Sequence, residues 1–259
     1  MINLLNQSGD GFRDPEISPE GPKETAPLPE DVAKQNALLV DEWADKLYDA
    51  TAADILEWAH EHAPGKLVVT LSMENTVLAE LAERHLPDAD FLFLDTEYHF
   101  PETLEVADKV EARYPNHELV RATAQLTRPE QDKVYGPNLY LRNPGACCRM
   151  RKVEPLAVHM SPYAGWITGL RRADGPTRAE APALSLDNTG RLKISPLVTW
   201  SLEETEAFEE DNDLIIHPLT RQGYPSIGCA TCTMPVAEGE DPRAGRWAFA
   251  SKTECGLHE

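Results

Sequence analysis

The fold is decided by residues 66–95, which read KLVVTLSMENTVLAELAERHLPDADFLFLD. The first six residues are rich in β-branched and aliphatic side chains, a composition typical of a buried strand. Apolar residues then recur at helical intervals from Val77 to Leu86. Residues 91–94 form a second apolar run, so the stretch predicts a strand, a helix and another strand.

The same alternation extends to both sides of this stretch. Upstream, helical periodicity begins at Asp31, and Thr51 with Asp54 forms a capping-box pattern that opens a second helix. Downstream, helices are predicted over 101–114, 130–135 and from Ser201 to about 212, and short strands at 119–120, 166–168, 184–186 and 192–194. Strands that alternate with helices predict an α/β domain, with a mostly parallel sheet covered by helices on both faces.

Ligands of such sheets bind at the carboxyl ends of the strands. Three segments follow predicted strands, at residues 72–76, 95–99 and 169–172. We therefore expect these three segments to meet at a ligand site.

The chain of 259 residues divides into three predicted parts. Residues 1–30 are rich in Pro, Gly and acidic side chains and have few large apolar ones, which predicts a disordered acidic arm. Residues 31–237 form the predicted α/β domain. Residues 238–259 are predicted to be a mobile tail, because regular periodicity is lost and glycine and proline are frequent.

Composition and charge exclude several classes of protein. With 41% apolar and 26% charged residues the chain is an ordinary globular protein. No apolar run approaches the roughly 20 residues of a membrane helix, and the N-terminus lacks the pattern of a secretory signal. We expect a cytoplasmic protein without a membrane partner. A net charge of −20 argues against a nucleic-acid partner.

Positive charge is nevertheless concentrated in one part of this acidic chain. From Arg142 to Arg178 there are seven basic and two acidic residues. The segment forms either a solvated basic face or a pocket for a small, multiply charged anion.

Four of the five cysteines form two pairs, Cys147 with Cys148 and Cys229 with Cys232. In a reducing compartment such pairs indicate metal or redox chemistry rather than structural disulfides. Only the second pair has the spacing of a zinc site, and adjacent cysteines need a turn or kink to bind one centre. An iron–sulfur cluster, a zinc ion and unligated core thiols all remain open on spacing alone.

The fifth cysteine, Cys255, lies in the polar segment KTECGLH at residues 252–258. A buried structural cysteine would have apolar neighbours, so we interpret Cys255 as a presented thiol. Its thiolate would be a nucleophile, activated by nearby positive charge. The alternative is a passive cysteine near the chain end.

Six motifs occur together in this chain: LDTEYHF (94–100), CCRMRKVEPL (147–156), TGLRR (168–172), GYPSIGCATC (223–232), DPRAGRW (241–247) and ECGLH (254–258). In this order they resemble the phosphoadenylyl-sulfate (PAPS) reductase family, and within it the members that reduce adenylyl sulfate (APS). The likeness extends from about residue 36 to the end and includes all five cysteines.

The resemblance implies an adenine-nucleotide α-hydrolase-like, Rossmann-like fold, with a mobile tail that carries the catalytic cysteine. The family members with an iron–sulfur cluster reduce adenosine 5′-phosphosulfate to sulfite and AMP with thioredoxin, in sulfate assimilation and cysteine biosynthesis. By the same resemblance, a [4Fe-4S] cluster that does not itself carry electrons in the reaction is held within residues 31–237 by Cys147, Cys148, Cys229 and Cys232.

The expected chemistry places Cys255 as the nucleophile that attacks the sulfur of the phosphosulfate. AMP leaves, a thiosulfonate remains on Cys255, and thioredoxin then releases sulfite. The oxygens of sulfate and phosphate require cations as charge shifts to the leaving group. The candidates within the domain are Lys152, Arg171, Arg172 and Arg178. The candidates that the tail would bring when it closes are Arg243, Arg246 and His258.

The loop after the first strand departs from related nucleotide sites, because residues 70–76 contain no glycine. A glycine-rich loop would bind an anion through its backbone amides. Ser72 and Glu74 are the remaining candidates for ligand contacts in this loop. Adenine is expected against the strand that ends at Leu94.

Three alternatives to this interpretation stay open. The first is the same reaction on 3′-phosphoadenylyl sulfate, since the additional basic residues could bind another phosphate. The second is a zinc-stabilised nucleotide-binding module without catalysis, which predicts a colourless protein and an unreactive Cys255. The third, a sulfur-transferring enzyme of tRNA modification, requires a basic surface that the net charge does not indicate.

Overall fold

The computed structural model describes residues 27–237 and 239–250. Six strands form one sheet: β1 (Leu67–Leu71), β2 (Asp90–Asp95), β3 (Leu119–Thr123), β4 (Gly165–Ile167), β5 (Leu184–Leu186) and β6 (Leu192–Ile194). Their order across the sheet is β3-β2-β1-β4-β6-β5. The pairing of β5 with β6 is antiparallel and the other four pairings are parallel. The predicted α/β class and mostly parallel sheet are confirmed.

The described helices are α1 (Glu30–Leu47), α2 (Ala52–His62), α3 (Val77–His85), α4 (Pro101–Arg113), α5 (Arg128–Tyr135), α6 (Leu139–Arg142), α7 (Pro144–Cys148), α8 (Glu154–His159) and α9 (Leu202–Asp211). Local sequence explains several of their first residues. The Thr51 hydroxyl accepts a hydrogen bond from the Asp54 amide, and Ser201 with Glu204 forms the predicted capping box. Helices α6, α7 and α8 are not evident from the sequence, because each is too short to show helical periodicity.

Each face of the sheet is covered by a separate apolar cluster. Alternate residues of a strand point to opposite faces. Val69 of β1 therefore packs with α1 to α4 in the main core, whereas Val68 packs in a second cluster on the other face. That second cluster includes Trp166 of β4, with Leu156 of α8 packed against it. Helices thus cover both faces, as the apolar strands required.

The strand order reverses between β1 and β4. From β1 the chain proceeds outward to β2 and β3, and β4 then pairs with the opposite edge of β1. At such a switch point the loops that leave neighbouring strands diverge and open a crevice at the carboxyl ends. The crevice lies between the loop after Leu71 and the loop after Ile167.

The predicted boundaries at residues 30 and 238 stay predictions. Residues 1–26, 238 and 251–259 lie outside the described part, so most of the arm and half of the tail are not covered. Residues 239–250 are described, and part of this segment is paired with the domain, since the Met234 amide donates to the Gly245 carbonyl at 2.9 Å. Among the described helices, none has the length and apolar character that crossing a bilayer requires.

Candidate functional site

Two short elements present the paired cysteines. Cys147 and Cys148 end α7, whose first turn is capped by the Asn143 side chain, which accepts from the Ala146 amide at 2.9 Å. A π-helical turn, Arg149–Val153, follows directly. Turns of this kind are rare and are frequent at functional sites. The turn or kink expected at the pair itself is not seen there, because both cysteines lie in α7 and the π-helical turn begins at the next residue.

The other pair lies on a 3-10 turn, Ala230–Cys232, that begins just after Cys229. The Ala230 amide donates to the Tyr98 carbonyl at 2.7 Å, which fixes this turn against the segment after β2. The Thr96 hydroxyl lies 3.3 Å from Sγ of Cys229. The segment that follows the carboxyl end of β2 therefore positions the second cysteine pair.

All four cysteines of the two pairs line one pocket as buried thiols rather than disulfides. Tyr98, Tyr140 and Trp247 complete its apolar wall, and Arg151 and Lys152 add positive charge. Burial, together with the three neighbouring thiols, raises the pKa of Cys147 to about 12. Among residues 27–237 and 239–250, no three His, Cys, Asp or Glu side chains are grouped so that they could hold one metal ion.

Residues 245–247 are hydrogen-bonded to the segment that carries Cys229 and Cys232. The Trp247 amide donates to the Cys232 carbonyl at 3.0 Å, and the Trp247 ring is 1% exposed. Arg246 donates through Nη1 to the Ile227 carbonyl at 3.2 Å. Gly228 allows this contact, because a Cβ at that position would overlap the Arg246 guanidinium. The chain thus leaves the pocket wall shortly before the undescribed residues 251–259.

Glu74, in the loop after β1 at the switch point, interacts electrostatically with two cations. Glu74 follows β1 and accepts a hydrogen bond at Oε2 from the Ile227 amide at 3.0 Å. Burial raises the pKa of Glu74 above its ordinary value, although the Ile227 amide and the positive charges of Arg171 and Arg246 partly offset this shift. The structure therefore brings together three of the predicted substrate-binding side chains.

The predicted basic residues occupy different places. Arg171 is held by Asp174, with Nε 2.9 Å from Oδ1, and by the Thr205 hydroxyl. Arg178 binds the same carboxylate, at 3.1 Å. Arg172 lies elsewhere. Its guanidinium binds the Tyr48 carbonyl and the Asp49 carboxylate, just beyond the end of α1, and also the Ala181 carbonyl. The structure does not bring Arg172 to the crevice, and its role in substrate binding stays a prediction.

Lys152 lines the cysteine pocket, and Arg243 precedes the paired residues 245–247. Cys255 and His258 lie outside the described residues, so their placement stays a prediction.

The loop after β1 adopts an unusual backbone without glycine. Met73 has φ of 64°, in the left-handed region that glycine usually occupies, and its side chain is fully buried. Ser72 is exposed, and its hydroxyl accepts from the Glu74 amide at 3.4 Å. Strained residues of this kind occur mainly where surrounding packing holds a functional loop. The core anchors the loop through the Met73 side chain.

Two polar residues near these sites, His99 and Arg151, are not distinguished by any pattern in the sequence. His99 donates from Nε2 to the Leu94 carbonyl at 2.8 Å, so one oxygen at the expected adenine edge already has a partner. Burial lowers the pKa of His99, which favours the neutral ring. Arg151 is 1% exposed within the cysteine pocket. Their only signal is that both lie inside the quoted motifs.

Comparison with known proteins identifies the class to which this fold and site belong. Residues 66–235 match the phosphoadenosine phosphosulfate reductase domain. This match covers more than half of the chain, so the chain belongs to that family.

The similar curated proteins have a more specific name. An adenosine 5′-phosphosulfate reductase of Mycolicibacterium smegmatis is 48% identical over 221 residues, which cover 85% of this chain and 93% of that protein. A protein of the same name from Streptomyces coelicolor is 46% identical over 235 residues, covering 90% of this chain and 99% of the relative.

A solved structure is similar in fold. The phosphoadenylyl-sulfate reductase of Candida auris, crystallised as a phosphate complex, superposes with a TM-score of 0.61 at 24% identity, covering 82% of this chain and all of that one. The predicted adenine-nucleotide α-hydrolase-like fold is therefore confirmed.

Proposed function

We propose that this protein reduces adenosine 5′-phosphosulfate to sulfite and AMP, with thioredoxin as the electron donor, in assimilatory sulfate reduction. The family membership and the names of relatives 44–48% identical to this chain support the substrate and the reaction. The observation that carries the proposal is the junction of crevice and cysteine pocket. Arg246 interacts electrostatically with Glu74 and donates to the Ile227 carbonyl, while its neighbour Trp247 lines the cysteine pocket.

This junction also limits where Cys255 can act. The described chain ends at Ala250, and five further residues span at most about 18 Å even when fully extended. Cys255 therefore follows the anchored residues Arg246 and Trp247 on a short tether. A nucleophile on such a short tether has a high effective concentration at the bound substrate.

The reaction proceeds in two balanced substitutions. The Cys255 thiolate attacks the sulfur of APS, the bond from sulfur to the phosphate oxygen breaks, and AMP leaves with that electron pair. A thioredoxin thiolate then attacks Sγ of the Cys255 thiosulfonate, and sulfite leaves with the electron pair of the S–S bond. The second thioredoxin thiol attacks the mixed disulfide, which frees Cys255 as a thiolate and leaves oxidised thioredoxin.

Positive charge at the crevice would assist the first substitution. Negative charge accumulates on the phosphate as AMP leaves, and preorganised cations stabilise that charge. Arg246 and Arg171 are two described cations that interact electrostatically with Glu74 at the crevice. Arg171 is oriented by Asp174, so its guanidinium needs little reorganisation when substrate binds.

We further propose that Cys147, Cys148, Cys229 and Cys232 hold a [4Fe-4S] cluster. The donor set fits, because four buried thiols line one pocket and two cations lie beside them. A cluster distributes its four thiolate ligands over several irons, so the thiols need not converge on one ion as they must for tetrahedral zinc. When bound, the cluster would supply a compact negative charge and a rigid support for Lys152, not electrons for the reaction.

Mass spectrometry of the oxygen-free protein tests the function. The protein is incubated without reductant, with either adenosine 5′-phosphosulfate or its 3′-phosphorylated form. Its intact mass is then measured, and peptide mapping locates any added group. We expect one added sulfo group on Cys255 with the first substrate, released as sulfite on addition of thioredoxin. Cys255→Ser is the control and should remain unmodified.

Each other outcome supports a different function. A faster adduct from the 3′-phosphorylated substrate would favour the alternative PAPS reaction. A protein that contains zinc, is colourless and forms no adduct would favour a nucleotide-binding module. No adduct from either substrate, in a sample with full iron and sulfide content, would contradict the reductase chemistry while leaving the cluster intact.

A further inference from the structure

Residues 215–217 lie antiparallel beside the loop that follows β1, residues 72–76. An isolated bridge pairs the middle of the segment with the loop. The His217 amide donates to the Glu74 carbonyl at 3.0 Å, and the first amide of the segment donates to the hydroxyl of the buried Thr76 at 3.1 Å. A segment distant in sequence therefore supplies hydrogen-bond partners to the loop.

The loop depends on such partners because it contains no glycine. Met73 has φ of 64°, and a left-handed backbone at a residue with a side chain persists only where surrounding contacts hold it. The buried Met73 side chain is one such contact, and the pairing with residues 215–217 is another. The position of residues 215–217 therefore bears on the shape of the loop.

His217 joins this segment to α4. Its side chain is fully buried, and Nδ1 accepts from the Leu219 amide at 3.2 Å. An amide can only donate, so the ring proton is on Nε2, which donates to the Thr103 hydroxyl at 2.9 Å. Thr103 lies in the first turn of α4 and is also buried. His217 thus contacts α4 through its ring and Glu74 through its own amide.

We infer that His217 is a positioning residue: its bond to Thr103 fixes the backbone that holds Glu74, and so presets the loop after β1 for nucleotide binding. The inference rests on the proposed function, in which Ser72 and Glu74 are the candidate ligand contacts of this loop. A loop already in its binding shape costs less free energy to order when the ligand arrives. Loss of the bond should therefore weaken nucleotide binding.

The effect should fall on binding rather than on the chemical step. The predicted nucleophile, Cys255, and the cations Arg171 and Arg246 lie on other segments of the chain. An interaction made equally with substrate and transition state changes KM and leaves kcat unchanged. This division distinguishes a positioning role from general destabilisation, which lowers the Tm without a selective change in KM.

Paired variants separate the two ring contacts of His217. The side-chain amide of glutamine extends about as far as Nε2, so His217→Gln retains a donor to Thr103. The oxygen of asparagine reaches only the position of Nδ1, so His217→Asn retains an acceptor for the Leu219 amide and loses Thr103. Thr103→Val removes the same bond from the other side with nearly the same side-chain shape, and Thr103→Ser keeps the hydroxyl.

His117→Asn is the matched control. His117 is another buried histidine, stacked on Phe91, with its Nδ1 2.6 Å from the carbonyl of Ala89, which precedes β2. It thus lies at the amino end of this strand, opposite the edge where ligands are expected. Its replacement should lower the Tm without changing nucleotide binding.

Each full-length variant is measured in three ways: KM and kcat for adenosine 5′-phosphosulfate, the Kd of AMP by calorimetry, and the Tm. We expect Thr103→Val and His217→Asn to raise KM and Kd about 2- to 10-fold, the value of one hydrogen bond, at an unchanged kcat. His217→Gln and Thr103→Ser should bind as the wild-type protein does. The combination of Thr103→Val with His217→Asn should bind no more weakly than either alone, because both remove one bond.

Several results would overturn the inference. Binding by His217→Gln as weak as by His217→Asn would show that the bond to Thr103 does not position the loop, as would wild-type binding in Thr103→Val. Additive losses in the combined variant, or an equal rise of KM in His117→Asn, would show general destabilisation instead. If the wild-type protein binds AMP but does not form the Cys255 adduct, the proposed function fails and the Kd values still decide the role of His217. A wild-type protein that binds neither nucleotide overturns both.

Discussion

The Ile227 amide donates to Oε2 of Glu74 at 3.0 Å, although 153 residues separate the two along the chain. This bond joins the loop after β1 to the segment that carries Cys229 and Cys232. Arg246 donates to the carbonyl of the same Ile227. Through its amide and its carbonyl, Ile227 thus links the loop after β1, where the nucleotide crevice is predicted, to Arg246 beside the cysteine pocket. The predictions below test parts of this connection.

Replacing Glu74 by glutamine should remove a pH dependence of stability. Burial raises the pKa of Glu74 in the folded state above the ordinary value of about 4.3. As pH rises from that value through the raised folded pKa, the folded protein must form an unfavourable carboxylate. The free energy of unfolding of wild type should therefore fall relative to Glu74→Gln over this range.

Urea unfolding at a series of pH values measures this difference. Glu105→Gln is the control, because Glu105 is an exposed carboxylate on α4, away from the crevice. A wild-type curve parallel to that of Glu74→Gln would contradict the prediction.

Substituting Gly228 by alanine should weaken substrate binding with little loss of stability. The new Cβ would overlap the Arg246 guanidinium, which is the flexible end of its side chain and can move away. Losing a hydrogen bond from a charged group costs about 1.5–3 kcal/mol, so KM for the anionic substrate should rise at least about 10-fold. Steady-state kinetics and the Tm measure the two effects.

A double-variant cycle identifies the cause. If Gly228→Ala acts through Arg246, then combining it with Arg246→Ala should weaken binding no further than Arg246→Ala alone. Additive losses in KM would show that Gly228 acts by another route, such as a change at Cys229, which iron content would reveal.

Substituting Gly245 by alanine should destabilise the protein. A Cβ at this position would overlap the Met234 carbonyl, which belongs to the backbone and cannot rotate away. We expect a loss of about 1–3 kcal/mol from strain in the pairing of residues 233–234 with 245–246. Urea unfolding measures the loss.

Gly169→Ala provides the comparison for this strain. A Cβ there would meet Leu78 at 3.9 Å and Leu197 at 4.0 Å, which are ordinary contact distances. Its stability should be unchanged or higher by about 0.4–1 kcal/mol, since alanine restricts the unfolded chain. Equal losses at Gly245 and Gly169 would contradict the assignment of strain to the Met234 contact.

Replacing His217 by glutamine should remove a loss of stability at acidic pH. His217 is fully buried, accepts at Nδ1 from the Leu219 amide and donates from Nε2 to the Thr103 hydroxyl. Burial lowers its pKa in the folded state, so the unfolded chain binds the proton first as pH falls below about 6.5. Wild type should lose unfolding free energy below that pH relative to His217→Gln.

The exposed His60 supplies the reference for this experiment. His60→Gln, at an exposed position on α2, should keep the wild-type dependence of stability on pH. If His217→Gln retains the same slope as His60→Gln, then His217 does not titrate as its burial requires.

Several features of this protein follow from the sequence alone. The runs at β1 and β2 and the helical spacing of α3 establish the α/β class, because period and composition are local properties. The joint occurrence of the cysteine motifs indicated the family, which the comparisons confirm. The thiols of Cys147 and Cys232 line one pocket, as the motifs required.

Other features depend on contacts between distant parts of the chain, which no local pattern reveals. Arg171 and Arg172 are adjacent and chemically identical, yet one binds Asp174 and interacts electrostatically with Glu74, whereas the other binds Asp49 just beyond α1. Arg151 is one of seven basic residues in its segment, and its orientation is set by Glu97 and Gln131, which are distant in sequence. Composition and periodicity determined which elements form, whereas packing between residues far apart in sequence decided which side chains share a site.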